Sequence, residues 1–175
     1  MSISVRDART HQGDRQWIES VYRDYLADLA PLNTGIFPVL SEIGHREPDQ
    51  STRWFADPAA HLLTVLHEQR PAGFAMVTPG AIVSAQSTAT RADYRMAEFF
   101  IARPYRRRGV GRRAVRLVLD RFSGQWEIVE YLRNPGAVGF WRTVLTDYTA
   151  GQYNERVANG EVRQTFRSGS GKRPA

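Results

Sequence analysis

The sequence predicts one α/β domain built on a single mixed, mostly antiparallel sheet flanked by helices. Three observations carry that prediction. The chain has 175 residues, 42% apolar and 24% charged, which is enough for one buried core without disulfide or metal staples. Apolar segments of strand and helix period follow one another as β, α, a loop-rich stretch, three strands, α, β, α, β, β. One strongly apolar strand runs directly into a basic, glycine-punctuated turn that opens an amphipathic helix.

Taken in order, Ile3–Arg6 suits a short first strand. Asp14 is a plausible N-cap for a helix through Ala30, on which Trp17, Val21, Tyr25 and Leu29 recur every fourth residue, and Pro31 closes it. From Leu32 to Pro58 prolines and glycines interrupt short apolar patches, the pattern of a lid or substrate loop. His61–Glu68 and Gly73–Thr78 read as strands joined by a turn at Gln69-Arg70-Pro71. Pro79–Ala92 is a polar connection, and Tyr94–Ala102 is the apolar strand. A helix from Gly109 to Phe122 turns Val110, Ala114, Leu117 and Val118 inward and Arg112, Arg113 and Arg116 outward. Ser123-Gly124 ends it, and Trp126–Tyr131 is the next strand. Pro135 takes the first-turn position of a helix running to Val144, and Tyr148–Asn154 with Val162–Arg167 forms a closing hairpin. Residues 1–167 make the domain, and the small polar residues 168–175 read as a flexible tail.

The charge is local. Lys and Arg number 24 against 18 Asp and Glu, a net of +6, and Lys172 is the only lysine. Between Arg103 and Arg116 stand seven arginines and no acid, so the rest of the chain nets −1. Without the last three basic residues, Arg167, Lys172 and Arg173, the remaining body is at −4. The absence of cysteine excludes disulfides, thiol nucleophiles and zinc–thiolate sites. His11, His45, His61 and His67 show no metal-ligand or triad spacing, so no metal is expected. The polar start and the lack of a long apolar run suggest a soluble cytoplasmic protein with no membrane partner.

The segment Phe99-Phe100-Ile101-Ala102-Arg103-Pro104-Tyr105-Arg106-Arg107-Arg108-Gly109-Val110-Gly111-Arg112 has the makings of an anion cradle. The first amides of a helix lack internal partners, and the helix dipole makes that end positive. Glycines at 109 and 111 allow close backbone approach, and arginines form charge-assisted bonds to phosphate. Neither the P-loop pattern nor G-x-G-x-x-G is present.

Arg106-Arg107-Arg108-Gly109-Val110-Gly111 resembles the Q/R-x-x-G-x-G/A motif of the GNAT superfamily of N-acetyltransferases. Asn134-Pro135-Gly136-Ala137-Val138-Gly139-Phe140-Trp141 is similar to the stretch that opens that family's fourth helix, and the likeness covers roughly Tyr94–Tyr148. The resemblance implies a GNAT-like acyl-CoA N-acyltransferase fold and direct acetyl transfer from acetyl-CoA, the co-substrate, to an amine, in the first instance a small molecule. Position by position it implies that the amides of Phe99, Phe100 and Ile101 pair with the pantetheine arm. The loop from Arg106, with Arg107, Arg108, Gly109, Val110, Gly111 and Arg112, would take the pyrophosphate. Asn134 would hydrogen-bond near the pantetheine amides, and Phe140 and Trp141 would wall the cofactor. Many members carry a thiolate-protonating tyrosine where this chain has Trp141, whose indole is no acid at neutral pH. Tyr105, Tyr148 or solvent could substitute. Glu98 and Glu130 are the candidate bases that keep the acceptor amine neutral.

Trp141 also raises a second reading, a non-catalytic acyl-CoA-binding or sensing domain. RNA engagement ranks last, because the arginines crowd the cofactor loop and are not interleaved with stacking aromatics. The resemblance leaves room for a homodimer through the C-terminal strands.

Overall fold

A computed structural model describes residues 1–29, 47–80 and 91–169. Seven strands form one sheet in the order β1-β2-β3-β4-β5-β7-β6. They are β1 (Ile3–Asp7), β2 (His61–His67), β3 (Arg70–Pro79), β4 (Tyr94–Ile101), β5 (Gln125–Tyr131), β6 (Asn154–Ala158) and β7 (Glu161–Arg167). The helices are α1 (Gln12–Leu29), α2 (Glu47–Ala56), α3 (Val110–Arg121) and α4 (Pro135–Thr149). No helix among the described residues is long and apolar enough to cross a membrane. The chain divides into two compact units, Met1–Met76 with Glu98–Gly111, and Val77–Ala97 with Arg112–Ala175.

In the first unit β1 pairs antiparallel with β2, Val5 opposite Val65. The face that α1 buries differs from the expected stripe. Asp14 is not the N-cap; it lies buried in the first turn, where Arg6 of β1 grips it through Nε at 2.7 Å and a terminal nitrogen at 2.6 Å. That pair sets the rotation of the helix, so Ile18, Tyr22 and Tyr25 face inward while Trp17 and Val21 are only half-buried. Tyr22, Tyr25, Trp54 and Phe74 pack as one aromatic cluster. Trp54 belongs to α2, a helix where interrupted loop was expected; residues 30–46 of that stretch lie outside the described residues. The β2–β3 turn is Glu68-Gln69, both left-handed, rather than Gln69-Arg70-Pro71, as a two-residue hairpin requires. A Cβ on Gly73 would strike the carbonyl of Phe100 and come within 2.7 Å of Ile101 Cδ1, so only glycine allows β3 and β4 to lie this close.

In the second unit β5 pairs antiparallel with β7 along its whole length, and β4 runs parallel to β5 at Tyr94–Trp126 and Arg95–Glu127. Val110, Ala114, Val115, Val118 and Leu119 form the buried side of α3, with Leu117 on its flank. Two expectations at the C-terminal end fail. Helix α4 continues past Val144 to Thr149, where Ala150 and Gly151 take the left-handed conformation that stops it. Tyr148 is therefore helical, and the closing hairpin is Asn154–Ala158 with β7, joined by left-handed Asn159-Gly160. Residues 81–90 of the polar connection and 170–175 of the expected tail lie outside the described residues. Ser168, where that tail was expected to begin, is buried; its hydroxyl donates to Phe122 O at 2.6 Å and accepts from the Trp126 indole at 2.9 Å.

The Arg6–Asp14 pair yields a stability prediction. Burial alone would raise the Asp14 carboxyl, but the hydrogen bond and charge of Arg6 hold it below the ordinary 3.8. Arg6→Met should lower the unfolding free energy at neutral pH by about 3 kcal/mol, measured by urea denaturation. The pair contributes fully above the ordinary carboxylate value and fades as pH falls through the folded one, so the two proteins should converge in acid. A difference that persists undiminished at about pH 2 would contradict this assignment.

Candidate active site

The residues from β4 to the start of α3 form a reversal braced by backbone bonds and by the side chain of Arg106. Ala102 N donates to Ala72 O at 2.9 Å, fixing the strand end. A short 3-10 turn, Arg103–Tyr105, follows, with Arg106 N bonded to Arg103 O at 3.2 Å. Arg107 (φ +59°) and Gly109 (φ +75°) are left-handed, and Val110 begins the helix. Alternating handedness of this kind turns successive amides to one concave side, which suits an anion. A Cβ on Gly109 would meet only Met1 Cε at 3.9 Å, so glycine is needed there for its φ rather than for space. No acid occupies the first turn of α3, and Arg107 and Arg108 are exposed.

Arg106 differs from its neighbours. Its Nε donates to Ile101 O at 2.6 Å, a terminal nitrogen bonds Asp28 near the C-terminal end of α1, and the guanidinium lies 5.4 Å from the Phe100 ring centre. Arg103 also reaches Asp28, at 3.5 Å. Arg106 thus stitches the strand end and α1 to the loop, and its charge is answered by protein. Tyr105 lies 5.4 Å from the His67 ring.

Glu98 and Phe100 share one side of β4, two residues apart, while Phe99 and Ile101 take the other by strand alternation. Tyr25 donates its hydroxyl to Glu98, and burial pushes the Glu98 carboxyl up to about 8. Single-sequence reasoning missed both Tyr25 and Asp28 as partners. They stand 73 and 78 residues from Glu98 and Arg106, and no spacing rule links such positions.

In the second unit, Glu130 is 6% exposed, and among the described residues neither carboxylate oxygen has a hydrogen-bond partner. Burial, and then the charge of Glu155, push it up to about 8, with Arg142 pulling the other way. Arg142 of α4 binds Glu155 of β6 at 2.6 Å. Asn134 caps α4, its Oδ1 accepting from Ala137 N at 3.0 Å. Phe140 is half-buried and meets buried Trp141 edge-on at 5.2 Å. Arg112 reaches Asp147 at 3.4 Å. Tyr148 donates to Asp120 at 2.8 Å; burial and that bond raise its hydroxyl, which makes it a poor proton donor. Among the described residues no three His, Cys, Asp or Glu side chains gather as a metal site.

The chain matches the sequence profile of the Acetyltransferase (GNAT) family over residues 19–145. No curated protein matches it. Solved structures with the same fold include a histone acetyltransferase HPA2 and related acetyltransferase from Corynebacterium glutamicum (TM-score 0.64, 13% identity, 98% of this chain and 99% of that one). An acetyltransferase from Thermus thermophilus aligns with TM-score 0.62 at 17% identity, over 95% of this chain and 97% of that one. A PaiA N-acetyltransferase from Thermoplasma acidophilum, solved in complex with coenzyme A, aligns with TM-score 0.54 at 12% identity, over 95% and 99%.

If the Arg106–Asp28 contact holds the reversal, Asp28→Asn should loosen it. Losing one charge-assisted bond should raise local opening about tenfold. Trypsin cleavage after Arg106, Arg107 and Arg108, mapped by mass spectrometry, should accelerate accordingly. An unchanged rate would mean that the loop is held by something else.

Proposed function

The chain belongs to the acetyltransferase (GNAT) family and is thus an acyl-CoA-dependent N-acetyltransferase, and we propose that it transfers acetyl directly from acetyl-CoA to a small primary amine, with Glu98 as base. The observation that carries the site assignment is the left-handed turn at Arg107 and Gly109, which delivers an acid-free helix N-terminus flanked by exposed arginines. In this proposal the amides from Arg107 to Arg112 hold the pyrophosphate, and the backbone of Phe99, Phe100 and Ile101 takes the pantetheine. Asn134 contributes its amide nitrogen, and Phe140 with Trp141 forms a wall.

Acetyl-CoA supplies the activated thioester. Glu98 removes the ammonium proton of the acceptor, directly or through one water, so that the free amine forms the C–N bond as the C–S bond breaks. A strand amide of β4 stabilises the charge gathering on the carbonyl oxygen. The nitrogen gives up its second proton to solvent as the amide forms, and the sulfur leaves as thiolate and takes a proton from solvent, since Trp141 cannot give one. That route is tolerable because a thiol of ordinary pKa, about 8.5, leaves far more readily than an alkoxide. Glu130 is the weaker candidate: it is enclosed, and among the described residues no hydrogen-bond donor orients it. The body outside the basic segment and the last three basic residues is at −4, which favours a cationic acceptor.

Isothermal titration should show acetyl-CoA binding that Gly109→Glu abolishes, since that change strains the turn and adds a negative charge. Thiol release should appear with spermidine or another small amine in preference to a lysine-containing peptide. Turnover should rise with pH through about 8, where Glu98 ionises. Binding that survives Gly109→Glu would overturn the site assignment, and release only with the peptide would overturn the acceptor class.

A further inference from the structure

We propose that Tyr25 is a positioning residue that holds the Glu98 carboxylate in one orientation and favours its ionised form. The inference rests on the reading of Glu98 as base. Its own ground is geometric. Tyr25 lies buried on α1, and its ring is packed on four sides: Tyr22 and Trp54 at 6.1 Å, Phe74 at 5.5 Å and Phe100 at 5.9 Å between centres. Such a ring has one available position, so its hydroxyl does too. The hydroxyl is directed to Glu98 Oε2. Phe100, one of the four rings, stands two residues beyond Glu98 on the same side of β4, so a single packing unit fixes both donor and acceptor.

A carboxylate in that setting is otherwise poorly served. Burial is the sole cause of its upward shift, and no charged side chain among the described residues acts on it. From α1 it meets the Tyr25 hydroxyl, and the partners of that ring on α2 and β3 are the apolar Trp54 and Phe74. Asp28, one turn further along α1, is engaged by Arg106 and Arg103. The Tyr25 O–H is therefore the group that offers a hydrogen bond to the charged form, and such a bond favours that form. The C-terminal turn of α1 thus carries two positioning contacts three residues apart, Tyr25 on the proposed base and Asp28 on Arg106 of the phosphate loop.

The test is Tyr25→Phe, which removes one oxygen and keeps the ring. In protein labelled with 13C at the glutamate carboxyl and assigned with Glu98→Gln, the Glu98 titration should move to higher pH by roughly one unit. The acid limb of kcat/KM for thiol release, with spermidine as acceptor, should move with it, while KM for acetyl-CoA stays constant. Should Tyr25→Phe fail to fold, 3-fluorotyrosine at position 25, a stronger donor, should shift the titration downward instead. A Glu98 titration that either replacement leaves in place overturns the role of Tyr25 and leaves Glu98 as base intact. If Glu98→Gln retains the wild-type acid limb, the base assignment itself falls, and the inference falls with it.

Discussion

The proposed site depends on the chain reversing from an apolar strand into a helix whose first amides have no partner one turn earlier in the helix itself. Arg106 makes that reversal possible. By donating to the Ile101 carbonyl and to Asp28 it ties the last residue of β4 and the end of α1 to the loop before the left-handed residues begin. Left-handed backbone at a non-glycine residue such as Arg107 is costly and persists only where its surroundings hold it. The first arginine of the motif is thus structural in its side chain, and the two after it remain exposed at the mouth of the turn. The positive segment is therefore less a uniform charge reservoir than a clamp followed by two exposed arginines.

The two candidate carboxylates show how environment separates groups that a sequence presents as equals. Glu98 lies in the middle of β4 and Glu130 next to the end of β5, and burial raises both to about 8. Glu98 has a phenolic donor, whereas Glu130 has no hydrogen-bond partner and lies near the Glu155 charge. What separates the two is the hydrogen bond that Tyr25 offers to Glu98, and on the proposed reading that contact is why Glu98 serves as the base. The helix that seats Tyr25 is also tied at its other end, where Arg6 of β1 grips the buried carboxylate of Asp14, and both contacts agree with the same inward face.

Local signals served well where one element follows another. The apolar run Tyr94–Ile101, the glycines at 109 and 111 and the alternation of Val110, Ala114 and Val118 with arginines fixed β4, the turn and α3 within a residue or so. Proline at 135 marked the start of α4, but its end needed the left-handed pair Ala150-Gly151, and the closing hairpin needed Asn159-Gly160 to be read as the turn. Of the recurring Trp17, Val21, Tyr25 and Leu29, only Tyr25 lies on the fully buried face of α1, and the carboxylate of Asp14, which suggests a cap, answers to Arg6, on a different element. Helix α2 was hidden because Pro48 suggested interruption, although proline suits a first turn. The contacts that would organise the proposed site, Tyr25 with Glu98 and Asp28 with Arg106, join residues more than seventy positions apart. They belong to tertiary packing and leave no periodic trace.

Amide hydrogen exchange with and without coenzyme A tests the central claim most directly, because it reads the backbone of the turn itself. If the helix-opening amides hold the pyrophosphate, coenzyme A should slow exchange across Arg107–Arg112 more than in α4 or the closing hairpin. Tight binding of coenzyme A with no protection across those residues would contradict the account.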